Sequence, residues 1–143
     1  MLQSSEVVRQ FFNAFGQGAL EQAVALFEPH ATVVAVREGE PETGSIYGTY
    51  RGQSGARTFL QNVGQSFDTQ AFAVDQVVGQ GEIAFAKGSF AHQLKTTRRL
   101  FVSDWALMCR VVGDKIVEFR FFEDSAALVT AQSGPASTPR SPS

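Results

Sequence analysis

The chain reads as an α+β domain, with helices first and a mostly antiparallel sheet after them. Three observations predict this. Apolar residues recur at three- and four-residue steps up to about residue 67, and four long extended segments follow it. The extended segments are joined by short Gly- or Thr-containing connections, and short connections favour antiparallel neighbours. The 143 residues are 43% hydrophobic and 18% charged, the size and apolar content of one domain with a full core.

Val7, Val8, Phe11, Phe12 and Phe15 follow Ser4 and Ser5 and precede Gly16 and Gly18. That spacing predicts an amphipathic first helix with the serines as caps and the glycines as its stop. Leu20, Ala23, Val24 and Phe27 repeat the pattern and predict a second helix. It should run to Glu28, where Pro29 pushes its predecessor out of helical geometry. A short β-branched strand is expected over 31–36. Residues 37–51 are rich in Gly, Glu and Pro, contain Tyr47 and Tyr50, and read as a long loop of the kind that lines sites. Ala56, Phe59, Leu60 and Val63 predict a third helix between Gly52 and Phe67. Extended segments are expected over 70–78, 82–94, 98–112 and 115–123, separated by Gly79 and Gly81, by Lys95-Thr96-Thr97, and by Gly113-Asp114. The helices then cover one face of a meander. The domain is expected over 1–131, and 132–143, with three prolines and no apolar anchor, as a disordered tail.

Composition removes several function classes. The net charge is −2, and the only Lys/Arg cluster, Lys95, Arg98 and Arg99, sits at a hairpin, so no nucleic-acid partner is expected. One cysteine, Cys109, rules out an internal disulfide and a multi-cysteine metal site; with two histidines and no spaced carboxylates, neither metal nor cofactor is expected. No apolar run approaches membrane-spanning length, and the first residues lack the apolar core of a signal peptide, so no membrane partner and a cytoplasmic location are expected.

Asp124 is the residue that draws chemical interest. An apolar aromatic strand, KIVEFRFFE, carries it to the start of a short helix expected over 125–129. Asp is disfavoured inside strands and costly to bury unpaired, which leaves it two roles: helix cap, or acid facing a cavity. Trp105 lies on a strand whose alternation places Phe101, Ser103, Trp105, Leu107 and Cys109 on one face and Val102, Asp104, Ala106, Met108 and Arg110 on the other. It floors a pocket, fills the core or meets a second subunit. His92, in FAHQL, is either a second proton carrier with Asp124 or a structural histidine. Cys109 reads as a small core hydrophobe and His30 as a turn residue. Thirteen phenylalanines against two tyrosines and one tryptophan favour a large dry interior, suited to a small hydrophobic ligand.

The order of elements, with GALEQAVALFEPHATV early and GDKIVEFRFFEDSAAL late, resembles the nuclear transport factor 2-like superfamily, specifically its SnoaL-like and ketosteroid-isomerase-like members, over about residues 5–130. The resemblance implies a strongly curved sheet wrapped around the N-terminal helices as a cone-shaped α+β barrel, an apolar pocket at its open end, and a homodimer packed through the sheet. The positions at which ketosteroid isomerases move protons fall on Phe11, Ala35 and Ala106 or Leu107. Those of limonene epoxide hydrolases fall on Val34 and Val36 and near Gly88 and Phe90. Only Asp124 remains, with Arg120 behind it, at the place where SnoaL-type polyketide cyclases carry their acid/base aspartate. Two readings follow. One is a cyclase, isomerase or hydratase with Asp124 as acid/base and Trp105, Tyr47, Tyr50, His92 and Arg120 around the substrate. The other is a non-catalytic binding or assembly module of the same fold.

Overall fold

The computed structural model describes residues 2–41 and 46–133. Its chain order is α1 (Ser4–Gly16), α2 (Leu20–Val24), β1 (Phe27–Ala35), β2 (Gly48–Arg51), α3 (Gly52–Ser66), β3 (Phe67–Gln80), β4 (Ile83–Leu94), β5 (Leu100–Val112), β6 (Lys115–Glu123) and α4 (Ser125–Gln132). The six strands form one curved sheet in the order β2-β1-β6-β5-β4-β3. It is unclosed, with β2 and β3 at its edges. The β1–β6 pair is parallel and the other four pairings are antiparallel. Register shifts in the β3–β4 and β5–β6 pairings mark bulges, which bend a strand and increase its twist.

The apolar stripe of α1, Val7, Val8, Phe11 and Ala14, is buried on the concave face, where α1 meets β3, β4 and β5. Its N-cap is Gln3, one residue before the expected serines: the Gln3 N–H donates to Glu6 Oε1 at 3.0 Å. Ser4 instead lies buried and donates to the Ile83 carbonyl at 3.1 Å, tying the helix start to β4.

The second helix is much shorter than its periodicity predicts. It ends at Val24, and Phe27 and Glu28 already belong to β1. Pro29 imposes extended geometry on its predecessor and sits where the β1–β6 register shifts, the irregular kind of strand position that accepts a residue without an N–H. The Gln53 side chain satisfies the Phe27 carbonyl at 2.7 Å. The expected loop over 37–51 contains β2, paired with β1 through Tyr50 opposite Val33; residues 42–45 of it lie outside the described residues. β3 begins at Phe67 and runs through Gly79, so that glycine is a strand residue against which Ser4 and Ser5 pack, not a turn. α4 extends to Gln132, and the expected tail lies, from 134 on, outside the described residues.

The alternation expected for β5 holds: Phe101, Ser103, Trp105, Leu107 and Cys109 are buried, while Val102, Asp104, Ala106 and Arg110 are exposed. Phe11 is the hub of the interior, with Phe12, Phe15, Phe27 and Phe119 all within 6.0 Å between ring centroids. The convex face carries Val78, Phe85, Val102 and Phe122, all exposed.

Candidate active site

Strand parity decides which acid meets the interior. Along β6, Phe119, Phe121 and Glu123 point to the concave side, and Glu118, Arg120 and Phe122 point away. The carboxylate that reaches the cavity is therefore Glu123. Asp124, one residue later, is exposed at the N-cap of α4, where its Oδ1 accepts from the Ala127 N–H at 3.1 Å. Its own N–H donates to Ser103 Oγ at 2.9 Å. Of the two roles open to Asp124, the structure places it in the capping one and gives the cavity-facing position to its neighbour.

Glu123 lines a cavity of about 40 Å³ together with thirteen other residues. Nine of the lining residues are phenylalanines: Phe11, Phe12 and Phe15 from α1, Phe59 from α3, and Phe67, Phe72, Phe90, Phe119 and Phe121 from the sheet. Desolvation in these surroundings pushes the Glu123 carboxyl up to about 7, partly offset by a hydrogen bond from Tyr47. Tyr47 Oη donates to Glu123 Oε2 at 2.9 Å. Burial, and then the neighbouring Glu123 charge, drive the Tyr47 phenol well above its ordinary range, so Tyr47 remains a donor. The Arg37 guanidinium lies 5.6 Å from the centroid of the Tyr47 ring.

His92 is the other polar group on the wall. It is buried between the rings of Phe67 and Phe90, at centroid distances of 4.7 and 4.1 Å. Its Nδ1 is 3.0 Å from Thr69 Oγ1, and burial lowers its pKa to about 4, so the imidazole is uncharged near neutral pH. His92 and Asp124 are not brought together as a proton-carrying pair: His92 faces the cavity and Asp124 faces solvent.

The remaining expected site residues lie around the cavity. Trp105 is buried behind the wall, stacked on Phe72 and Phe121 at 5.4 and 5.6 Å and tilted against Phe12 at 4.9 Å. Its Nε1 is buried with no hydrogen-bond partner. It backs the cavity's aromatic lining without forming part of it. Tyr50 is buried on β2, its hydroxyl donating to the Ile46 carbonyl at 2.8 Å, and it is not among the residues lining the cavity. Arg120 lies on the opposite sheet face from Glu123, paired with Glu38 at 3.3 Å and 5.7 Å from the Phe122 ring centroid. It does not touch the cavity.

A second, outer cleft of about 560 Å³ opens between the α1–α2 connection and α3. Phe15, Leu60, Val63 and Phe72 line both spaces, so these four side chains stand between the inner cavity and the cleft. Among the described residues no three His, Cys, Asp or Glu side chains cluster as a metal site would require, and no helix is long and apolar enough to cross a membrane. Cys109 is buried and its thiol is pushed up by that burial.

No curated protein matches the chain. Among solved structures it is similar to an NTF2-like protein from Burkholderia xenovorans LB400, with a TM-score of 0.78 and 25% identity over 93% of this chain and 99% of that one. It is also similar to a protein of ketosteroid-isomerase-like fold from Catenulispora acidiphila in complex with trimethylamine, with a TM-score of 0.73 and 15% identity over 94% and 98%. A third is TerC co-crystallised with polyporic acid, with a TM-score of 0.76 and 18% identity over 90% and 96%. At these identities the last two establish the fold alone. The model of the SnoaL-like domain matches residues 8–119, which together with the curved sheet over α1 places the chain in the SnoaL-like domain family, within the nuclear transport factor 2-like fold.

Proposed function

We propose that the chain binds a small molecule in the phenylalanine-lined cavity and that Glu123, held by Tyr47, is the group that exchanges a proton with it. One observation carries this reading: among the described residues an apolar cavity is lined by a single carboxylate, whose pKa is raised to about 7. A carboxylate at that value both accepts and gives a proton near neutral pH, the condition for general acid/base work. The role assigned from sequence to Asp124 thus passes to Glu123. In such a pocket area burial supplies affinity, and Glu123 and His92 set orientation. The two ligand-bearing neighbours support small-molecule binding as a use of this fold. In this reading the protein works in the cytoplasm as a homodimer joined through the convex sheet face.

The acid/base reading is tested without knowing the substrate, by following exchange of the α-protons of butanone in D2O by NMR. Wild type is expected to accelerate exchange, and Glu123→Gln to lose about a hundredfold or more of that acceleration. Exchange no faster with wild type than in buffer would instead favour a non-catalytic binding module. That second reading has its own support: the positions where ketosteroid isomerases carry proton-moving side chains hold Phe11, Ala35 and Ala106 or Leu107.

A further inference from the structure

The charge and donor inventory of the inner cavity specifies its occupant more narrowly than size and apolarity do. Among the described residues no Lys or Arg lines it, and the imidazole of His92 is held neutral by burial. Once Glu123 ionises, the described walls of the cavity carry one negative charge and no cation. Glu123 Oε2 already accepts from Tyr47, whereas Oε1 has no donor among the described residues. Glu123 Oε1 is therefore open to a donor, and an anion is disfavoured by both the carboxylate and the dry walls.

Beyond Glu123 and His92, whose ring nitrogens accept or donate according to tautomer, the lining is wholly apolar and mostly phenylalanine. A primary ammonium would bring three N–H donors, leaving at least one facing aromatic carbon. A tertiary ammonium brings one, and its alkyl groups suit rings whose faces attract cations. The volume of about 40 Å³ corresponds to roughly three water-sized groups, the size of a nitrogen with short alkyl substituents. We propose that the inner cavity takes a compact tertiary ammonium cation, its one N–H donating to Glu123 Oε1 and its alkyl groups packed on the phenylalanine wall. A longer substituent would pass Phe15, Leu60, Val63 and Phe72 into the outer cleft.

The proposal rests on the reading of this cavity as a ligand site, and three probes sharing a branched trimethyl shape separate the two: trimethylammonium, tert-butanol and trimethylacetate. Binding is followed by 1H NMR through ring-current shifts of the probe methyls and shifts of the cavity phenylalanines. Trimethylammonium is expected to bind most tightly, and its affinity to rise roughly tenfold from pH 6 to pH 8.5 as Glu123 ionises through about 7. Tyr47 and His92, the other titratable groups facing Glu123, keep their charge over that range. The other charged groups beside the pair are Arg37, over the Tyr47 ring, and Asp124 at the α4 cap. Glu123→Gln is expected to abolish the pH response. Equal or tighter binding of tert-butanol or trimethylacetate, or pH-independent trimethylammonium binding, overturns the cation and leaves the cavity a ligand site. Binding of none of the three overturns both readings. The probe comparison and the pH series in wild type stand even where the variant fails to fold.

Discussion

Glu123 and His92 face the same cavity and are perturbed in opposite directions by the same burial, which gives the protein an unusual acid response. Glu123 has a folded-state pKa of about 7, above its ordinary value of 4.5. Its protonated form is favoured by the fold, so its contribution is fully present below 4.5 and is lost as pH rises through 7. His92 has a folded-state pKa of about 4, below its ordinary 6.5. Its contribution is present above 6.5 and is lost as pH falls through 4. Each is worth on the order of 3 kcal/mol, and between pH 4.5 and 6.5 their slopes are opposite and largely cancel. Removing either should expose the other. Denaturant titrations at pH 4.5 and 6.5 are expected to show Glu123→Gln losing stability on acidification and His92→Phe gaining it. Matching pH slopes in the two variants would show that the cavity does not perturb them in this way.

At the scale of the element, how much was legible depended on whether a strand's two faces differ. β5 alternates cleanly between buried and exposed residues, and its two sets could be read directly from sequence, though not which of them faces inward. The end of β6 is harder, because Phe121, Phe122 and Glu123 offer aromatic and charged groups to both faces. The usable signal was Phe119 and Phe121 at a two-residue step, whose continuation points Glu123 inward and Asp124 outward. β2 was hidden because four residues with a glycine at their start look like part of a loop. The α2–β1 boundary was missed because Phe27 fits the helical spacing, while Pro29 imposes strand geometry immediately before it. Gly88 shows what sequence does not reveal. It lies between Val74 on β3 and Trp105 on β5, and a Cβ there would overlap the Ala73 carbonyl oxygen and sit 2.6 Å from Trp105 Cζ2. The indole occupies the space a side chain would take. Gly88→Ala should cost about 2–3 kcal/mol through this overpacking, read as a lower denaturation midpoint at unchanged slope.

For the molecule as a whole, the convex face is the feature left unexplained by a single chain. Val78, Phe85 and Val102 are 58%, 54% and 60% exposed, and Phe122 is 42% exposed. A shallow groove of about 380 Å³ runs among Val78, Phe85, Met108 and Phe122. Apolar surface of this kind on a sheet is costly to leave in water, which is the physical basis for the proposed sheet-to-sheet homodimer. Wild type is expected to sediment as a dimer at micromolar concentration, and the double variant Phe85→Asp/Val102→Asp as a folded monomer. A wild-type monomer at that concentration would remove the dimer.

The parallel pairing of β1 with β6 also sets a schedule for folding. Val33 and Phe119 are neighbours across the sheet although more than eighty residues separate them in the chain, and closing so long a loop is slow. Until β6 arrives, β1 can pair only with the four-residue β2, and β5 only with β4. A nascent chain that has made everything up to residue 114 therefore presents two long strands with bare hydrogen-bonding edges, the condition in which partly made proteins stick to one another. The strand that carries Glu123 is thus also the one whose arrival covers both bare edges and ends that interval.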